Sequence, residues 1–254
     1  YTGEDVGTKP SDMDWAGMET PYVLGRSGVG SGDPSPVTAY GVLLGIKTAV
    51  RHRFDRDDLQ GVRVAIQGLG HVGGNLATLL AEQGAQLTVA DIDSERAAHK
   101  AKELGARQVA SDQIMAAEAE VFAPCALGGA INDQSLAQLS CDIVAGAANN
   151  QLSEARHGEI LHERGVLYAP DYVINAGGLI NIAQELRSGG YNRDRSMAHV
   201  STIETTLAEI FERSESEGRP THEIADQIAE ERIRAAQRGA GEVKREVAPI
   251  AAAG

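Results

Sequence analysis

Basic residues are in short supply in this chain: 23 Lys and Arg stand against 36 Asp and Glu, a formal charge of −13. That balance argues against a general nucleic-acid surface and against binding to anionic membranes, since both would be repelled. Cysteine is scarcer still. Cys125 and Cys141 lie sixteen positions apart and outside any C-x-x-C arrangement. Reduced, buried thiols in a cytoplasmic protein are therefore expected, rather than a disulfide or a zinc site. No apolar run approaches the length of a membrane span, and no signal peptide is visible. The seven histidines contain no H-E-x-x-H. His157 and His162, five apart on an expected helix, suit exposed polar positions, and no metal is expected. No internal repeat is evident.

What remains is an ordinary globular composition, 42% hydrophobic and 23% charged over 254 residues. That length allows one large domain or two modest ones with a sizeable core.

The chain is organised around residues 62–73, V-R-V-A-I-Q-G-L-G-H-V-G. Val62, Val64 and Ile66 alternate as in a strand. Gly68, Gly70 and Gly73 follow in G-x-G-x-x-G spacing, and Val72, Leu76, Leu79 and Leu80 then recur on one helical face up to Gly84. A second strand, residues 87–90, runs into Asp91, eighteen residues beyond Gly73. Each part has a physical use in holding a dinucleotide. Gly68 permits the tight turn, Gly70 lets the backbone approach a pyrophosphate, and Gly73 lets helix and strand pack closely. The helix start offers unpaired N–H groups and a positive dipole end, to which His71 and Val72 belong. Asp91 can accept both ribose hydroxyls and would repel a 2′-phosphate, which favours NAD over NADP. A glycine-rich turn with no ligand would explain the glycines but not Asp91.

Residues 1–34 show little periodicity beyond a short strand at 22–24, and residues 27–34 read as a flexible connection or a ligand-facing loop. From Val37 to about Arg53 an amphipathic helix is expected. Beyond Asp91, strand and helix alternate. Ser94 should cap a helix that stops at Gly105, strands are expected at 120–123, 142–146 and 166–169, and a helix at 154–164. This alternation calls for a parallel sheet covered by helices on both faces. From Arg193 onward the chain reads as helix with one break at 218–220. Thr221 should cap the last helix, where Ile224, Ala225, Ile228 and Ala229 form a core-facing stripe. The final residues, 251–254, should fray.

Several segments without a propensity explanation carry a resemblance when read in order. They are G-E-D-V-G-T (3–8), G-D-P-S-P-V-T-A-Y-G (32–41), A-P-C-A-L-G-G (123–129), G-A-A-N-N-Q-L (146–152) and Y-A-P-D-Y-V-I-N-A-G-G (168–178). With the glycine motif they closely resemble the leucine/phenylalanine/valine dehydrogenases of the glutamate dehydrogenase superfamily, with wording nearest the leucine enzymes. The resemblance implies an α/β fold: a Rossmann-type doubly wound parallel sheet with remnants of a second, substrate domain and C-terminal helices. On that map residues 1–34 are the end of the substrate domain and the hinge, and 35–182 the NAD-binding domain. Residues 183–254 are helices packing back across. The implied activity is reversible, NAD-dependent oxidative deamination of an apolar L-amino acid to its 2-oxo acid and ammonia. A homo-oligomer is also implied, of undefined size.

The resemblance also assigns roles one residue at a time. Asp5 matches the catalytic aspartate, the proton shuttle needed as water adds to an imine and ammonia leaves. Ser35 and Thr38 match residues that hold the nicotinamide carboxamide, although Ser35 would also serve as a helix N-cap. Ala126 and Asn149 fall where the nicotinamide ribose is lined. Asn175 matches a residue near the substrate, and Gly3 and Leu179 match walls of its side-chain pocket. Those two residues are more typical of phenylalanine enzymes, so a branched-chain substrate with appreciable aromatic activity is expected, an aromatic substrate being the alternative. A methylene-sized change in such a pocket is worth only about 1–3 kcal/mol.

One family feature has no match. The substrate-gripping and water-activating lysines lie in a glycine-rich segment, and Lys9, Lys47, Lys100, Lys102 and Lys244 all stand in other contexts. The matching segment would precede Tyr1, so this polypeptide by itself should bind NAD and turn over amino acids negligibly. A binding module without catalysis is therefore the rival class. A 2-hydroxy-acid dehydrogenase is a weaker rival, because no catalytic His with a carboxylate partner is found in the later strands.

Overall fold

The computed structural model describes residues 1–5, 7–28 and 30–246, with side chains as far as residue 238. Residues 251–254 lie outside that range. The N-terminal segment holds α1 (Pro10–Glu19), and α2 (Ser35–Phe54) leads into the sheet. There follow β1 (Arg63–Gln67), α3 (His71–Glu82), β2 (Gln86–Ala90), α4 (Ser94–Leu104), β3 (Arg107–Gln108), β4 (Val121–Pro124), α5 (Asp133–Leu136), β5 (Ile143–Val144), α6 (Ala155–Glu163) and β6 (Leu167–Tyr168). The chain finishes with α7 (Asp171–Ile174), α8 (Gly177–Ala183), a 3-10 turn (Gln184–Leu186), α9 (Arg193–Val200), α10 (Thr202–Glu217) and α11 (Thr221–Glu246).

The six strands are parallel in the order β3-β2-β1-β4-β5-β6, with Ile66 beside Val89 on one side and Ala123 on the other. The order reverses between β1 and β4. That is where a doubly wound sheet leaves a crevice at its carboxyl edge. The period of two in the strands divides the core into two layers. Val64, Ile66, Leu87, Val89, Val121, Ala123 and Ile143 face one layer, shared with α2, α3 and α10. Ala65, Ala90, Phe122 and Val144 face the other, with Ile114, Ile131 and Leu161.

Several local expectations give way to tertiary structure. The helix expected from Val37 is not amphipathic in place: α2 is buried from Gly41 through Ile46, enclosed by α3, α8 and α10. Residues 1–34 contain a full helix, α1, that periodicity does not reveal because only Met13 is buried and Trp15 and Met18 are 71% exposed. Its start is set instead by Pro10 in the first turn and by Asp12, whose carboxylate accepts the Lys9 N–H at 2.8 Å. At 22–24 there is an isolated parallel bridge, Thr2 to Val23, in place of a strand.

Asp93, not Ser94, caps α4, accepting the Arg96 N–H. Thr221 is the first residue of α11, and its hydroxyl donates to the Tyr168 carbonyl at 2.7 Å instead of capping. In the α11 stripe Ile224, Ala225 and Ile228 are buried, whereas Ala229 is exposed. His157 is buried at 1%, contrary to its expected exposure. Its Nδ1 accepts the Glu154 N–H at 3.0 Å, so the ring tucks under the start of α6 where the segment's donors need a partner. Among the described residues no helix is long and apolar enough to cross a membrane. Both cysteines are free, and burial pushes each thiol up to about 12.

Candidate active site

The turn after β1 has the geometry that its glycines imply. Gly68 has φ +93°, a conformation that side chains oppose. A Cβ on Gly73 would lie 2.1 Å from the Gly68 carbonyl oxygen, so close passage of α3 over the turn requires a bare residue. Gly70 faces open space, and Val72 packs partly into the first core layer. His71 is exposed at the first position of α3, where backbone N–H groups point outward. Beside the turn runs a groove of about 560 Å³ lined by Gly70, His71, Asn75, Thr78, Arg96 and Lys100, among others. An open, N–H-bearing and cation-flanked turn fits a pyrophosphate.

Asp91 stands at the tip of β2, but its carboxylate is already engaged. One oxygen accepts the Leu69 N–H at 2.6 Å, the other accepts the Asp93 N–H at 2.9 Å, and Arg96 lies 3.3 Å away. The side chain is only 5% exposed. A carboxylate offers about four lone-pair sites, so room for ribose hydroxyls remains. Asp91 is thus a brace of the glycine turn as well as a candidate ligand.

From this turn a continuous line of contacts crosses the carboxyl edge. Gly68 lies against Ala126, where an added Cβ would meet the Ala126 N at 2.9 Å. Gly128 lies against the Asn149 carbonyl in the same manner, at 2.8 Å. The Asn175 amide donates to Asn149 Oδ1 at 2.6 Å and to the Ala147 carbonyl at 3.2 Å. Gly177 and Gly178 then rest on Val37 and Thr38 at the start of α2, with Cβ distances of 2.6 Å to the Val37 oxygen and 2.5 Å to Thr38 Oγ1. Thr38 donates to the Pro34 carbonyl at 3.0 Å. Ser35 is buried at the first position of α2, its N–H donating to Asp33, and its side chain does not cap the helix.

The N-terminal segment closes the other side. Thr2 exchanges backbone hydrogen bonds with Tyr22 and Leu24, which holds residues 2–3 extended beside 22–24. Gly3 then faces α8: its added Cβ would sit 3.2 Å from Ile182 Cδ1. Ile182 lies one turn beyond the 69%-exposed Leu179 and was not foreseen, although the helical spacing points to it. Asp5 is exposed, its backbone closing a tight turn with Thr8. Next to it, Glu4 meets Asp33 and His71, with one polar atom from each mutually within 4.8 Å. Desolvation raises the Glu4 pKa; Asp33 adds to the shift and His71 opposes it. The segment carrying Gly3 and Asp5 is thereby brought against the glycine turn.

Glu185, another residue that sequence reasoning missed, gathers the connecting loop. One of its oxygens accepts from the Gly25 N–H, the Ser31 N–H and the Ser31 hydroxyl, at 3.0, 2.7 and 2.6 Å. The 3-10 turn after α8 is in this way tied to residues 25–31.

Comparison with known proteins identifies relatives of the whole chain. The family model described as "Glutamate/Leucine/Phenylalanine/Valine dehydrogenase" matches residues 30–109 and 92–241. A leucine dehydrogenase from Thermoactinomyces intermedius is 51% identical over 234 residues, covering 91% of this chain and 63% of the relative. A phenylalanine dehydrogenase from Bacillus thermotolerans is 43% identical, over 92% of this chain and 63% of that protein. The crystal structure of L-tryptophan dehydrogenase from Nostoc punctiforme superposes with a TM-score of 0.83 at 42% identity, covering 93% of this chain and 68% of that one. The chain thus spans a little under two thirds of the length of these first two relatives.

Proposed function

The chain belongs to the glutamate/leucine/phenylalanine/valine dehydrogenase family, and from that premise we propose that it carries the cofactor site and catalytic aspartate of an NAD-dependent dehydrogenase of apolar L-amino acids. The observation that carries this reading is the line of contacts from Gly68 through Ala126, Asn149 and Asn175 to Thr38, with Glu4, the neighbour of Asp5, reaching His71 beside the glycine turn. In the proposed roles the first turn of α3 holds the pyrophosphate and Asp91 takes ribose hydroxyls. Ser35, Thr38, Ala126 and Asn149 orient the nicotinamide half.

Bound NAD supplies the acceptor for the hydride that leaves the substrate Cα with the C–H electron pair. The chain's own groups manage protons and position. Asp5, exposed two residues from Gly3, takes a proton as water adds to the protonated substrate imine. It returns one as the C–N bond breaks and ammonia departs, leaving the 2-oxo acid. Asn175 stands at the boundary of the two sites, within reach of Asn149. NAD is favoured over NADP because a 2′-phosphate would face Asp91, although Arg96 offsets part of that charge.

Gly3, Ile182 and Leu179 form the proposed side-chain wall. A branched-chain substrate is the first reading, and the missing side chain at Gly3 supports appreciable aromatic activity beside it. Comparing kcat/KM for leucine, valine, phenylalanine and tryptophan tests this. A preference for phenylalanine above about tenfold, roughly 1.4 kcal/mol, would reverse the order, and a preference for glutamate would overturn the reading. The remaining proposals are a homo-oligomer and a cytoplasmic setting.

A further inference from the structure

The turn between β5 and α6 carries a buried hydrogen-bond device that the proposed chemistry does not use directly. Gln151 is 0% exposed, and its Nε2 donates to the Gly146 carbonyl at 2.9 Å and the Ala148 carbonyl at 3.0 Å. Its Oε1 makes no hydrogen bond, so the side chain acts there as a two-hydrogen donor. Asp171, also buried, accepts the Gln151 N–H at 2.6 Å and the Tyr168 hydroxyl at 3.2 Å on the same oxygen. The Ala147 carbonyl between the two accepts from Asn175. Three successive carbonyls are therefore turned inward and bonded by side chains, and the next side chain, Asn149, is left exposed at the sheet edge.

The same bonds fix which way the Asn149 amide faces. A backbone carbonyl can only accept, so the end of Asn175 on the Ala147 oxygen is its NH₂. That NH₂ is also the group facing Asn149 at 2.6 Å, so the Asn149 atom there is its oxygen. The Asn149 NH₂ is then the outward group, and a ligand meeting it must offer an acceptor.

We propose that Gln151 and Asp171 are positioning residues that hold Asn149 as an outward donor for an acceptor oxygen on the nicotinamide riboside half of the cofactor. The inference rests on the dinucleotide reading above. ADP shares the adenosine and pyrophosphate contacts but lacks that half, so it separates the two ideas.

The experiment is calorimetric titration of the protein with NAD and with ADP, for wild type and for Gln151→Met, Asp171→Ala, Asp171→Asn and Asn149→Asp. Gln151→Met and Asp171→Ala should weaken NAD at least tenfold and leave ADP within twofold. Asp171→Asn, which keeps an accepting oxygen, should stay within threefold of wild type for both. Asn149→Asp is a surface change that leaves an oxygen for Asn175 and turns the outward donor into an acceptor. It should cost NAD at least tenfold whether or not the buried variants fold. Equal weakening of NAD and ADP, or no change in Asn149→Asp, would overturn the proposal. Wild-type protein that binds neither nucleotide would overturn the dinucleotide reading and this inference with it.

Discussion

Two turns at the same edge of the sheet are held by different means. The turn after β1 is built from backbone: a positive φ at Gly68, a bare Gly73 beneath it, and one distant carboxylate, Asp91, on the Leu69 N–H. The turn after β5 is built from side chains. Gln151, Asp171 and Asn175 converge on it, and only Gly146 serves by lacking a Cβ, which would come 2.3 Å from the Pro124 carbonyl. A turn that must offer its own N–H groups to an anion leaves them bare, and small residues suffice. A turn that must present one side chain in one orientation needs other side chains to hold it.

The sharpest test of this contrast leaves both turns intact. Asp5→Asn should reduce amino-acid turnover by about 10²–10⁴-fold, the usual contribution of a positioned proton shuttle, with NAD binding unchanged in titration. Gly73→Ala attacks the first turn, where the colliding atom is backbone and cannot swing away. Overpacking of this kind costs about 1–3 kcal/mol, so a lower denaturation midpoint and loss of both NAD and ADP binding are expected. Gly146→Ala places the same sort of collision in the second turn. It should destabilise by a similar amount while weakening NAD more than ADP, and equal losses would erase the distinction between the turns.

Smaller effects are expected at the cleft. Gly3→Ala presses a methyl toward Ile182 and should shift the leucine to phenylalanine ratio of kcat/KM toward leucine by about 1–3 kcal/mol at most. Smallest is the effect of pH through Glu4. Its raised pKa means that the folded protein holds the proton more tightly than the unfolded chain does, so stability falls as pH rises from the ordinary value of 4.5 through the folded one. Glu4→Gln should therefore be slightly more stable than wild type at neutral pH. That advantage should vanish in acid below 4.5, as thermal melts at the two pH values would show.

The same contrast explains what could be read from the chain before its structure. Alternation at Val64, Ile66, Leu87 and Val89, and glycines at 68, 70 and 73, are local signals, and they correctly forecast the parallel sheet and the turn at its switch point. β3 was missed because its two residues, Arg107 and Gln108, are exposed and polar. α1 carries no apolar periodicity because only Met13 is buried while Trp15 and Met18 face outward. The buried His157, the first-turn placement of Thr221 and the Gln151–Asp171 bracket depend on partners elsewhere in the fold, Asp171 being twenty positions from Gln151. Spacing along the chain carries no trace of such partners. The proposed site residues were legible as motifs, yet the contacts linking Ala126, Asn149 and Asn175 emerge only when the strands lie side by side.

Hydride transfer from an amino acid is tested most directly by isotope tracing. The native protein carrying this chain is incubated with NAD and leucine deuterated at Cα, and the reduced nucleotide is examined for deuterium. Deuterium is expected on the nicotinamide ring together with release of the 2-oxo acid, and that release should slow by about 10²–10⁴-fold in Asp5→Asn. NAD that binds but gains no deuterium from leucine, valine, phenylalanine or tryptophan would contradict it and leave a nucleotide-binding module in its place.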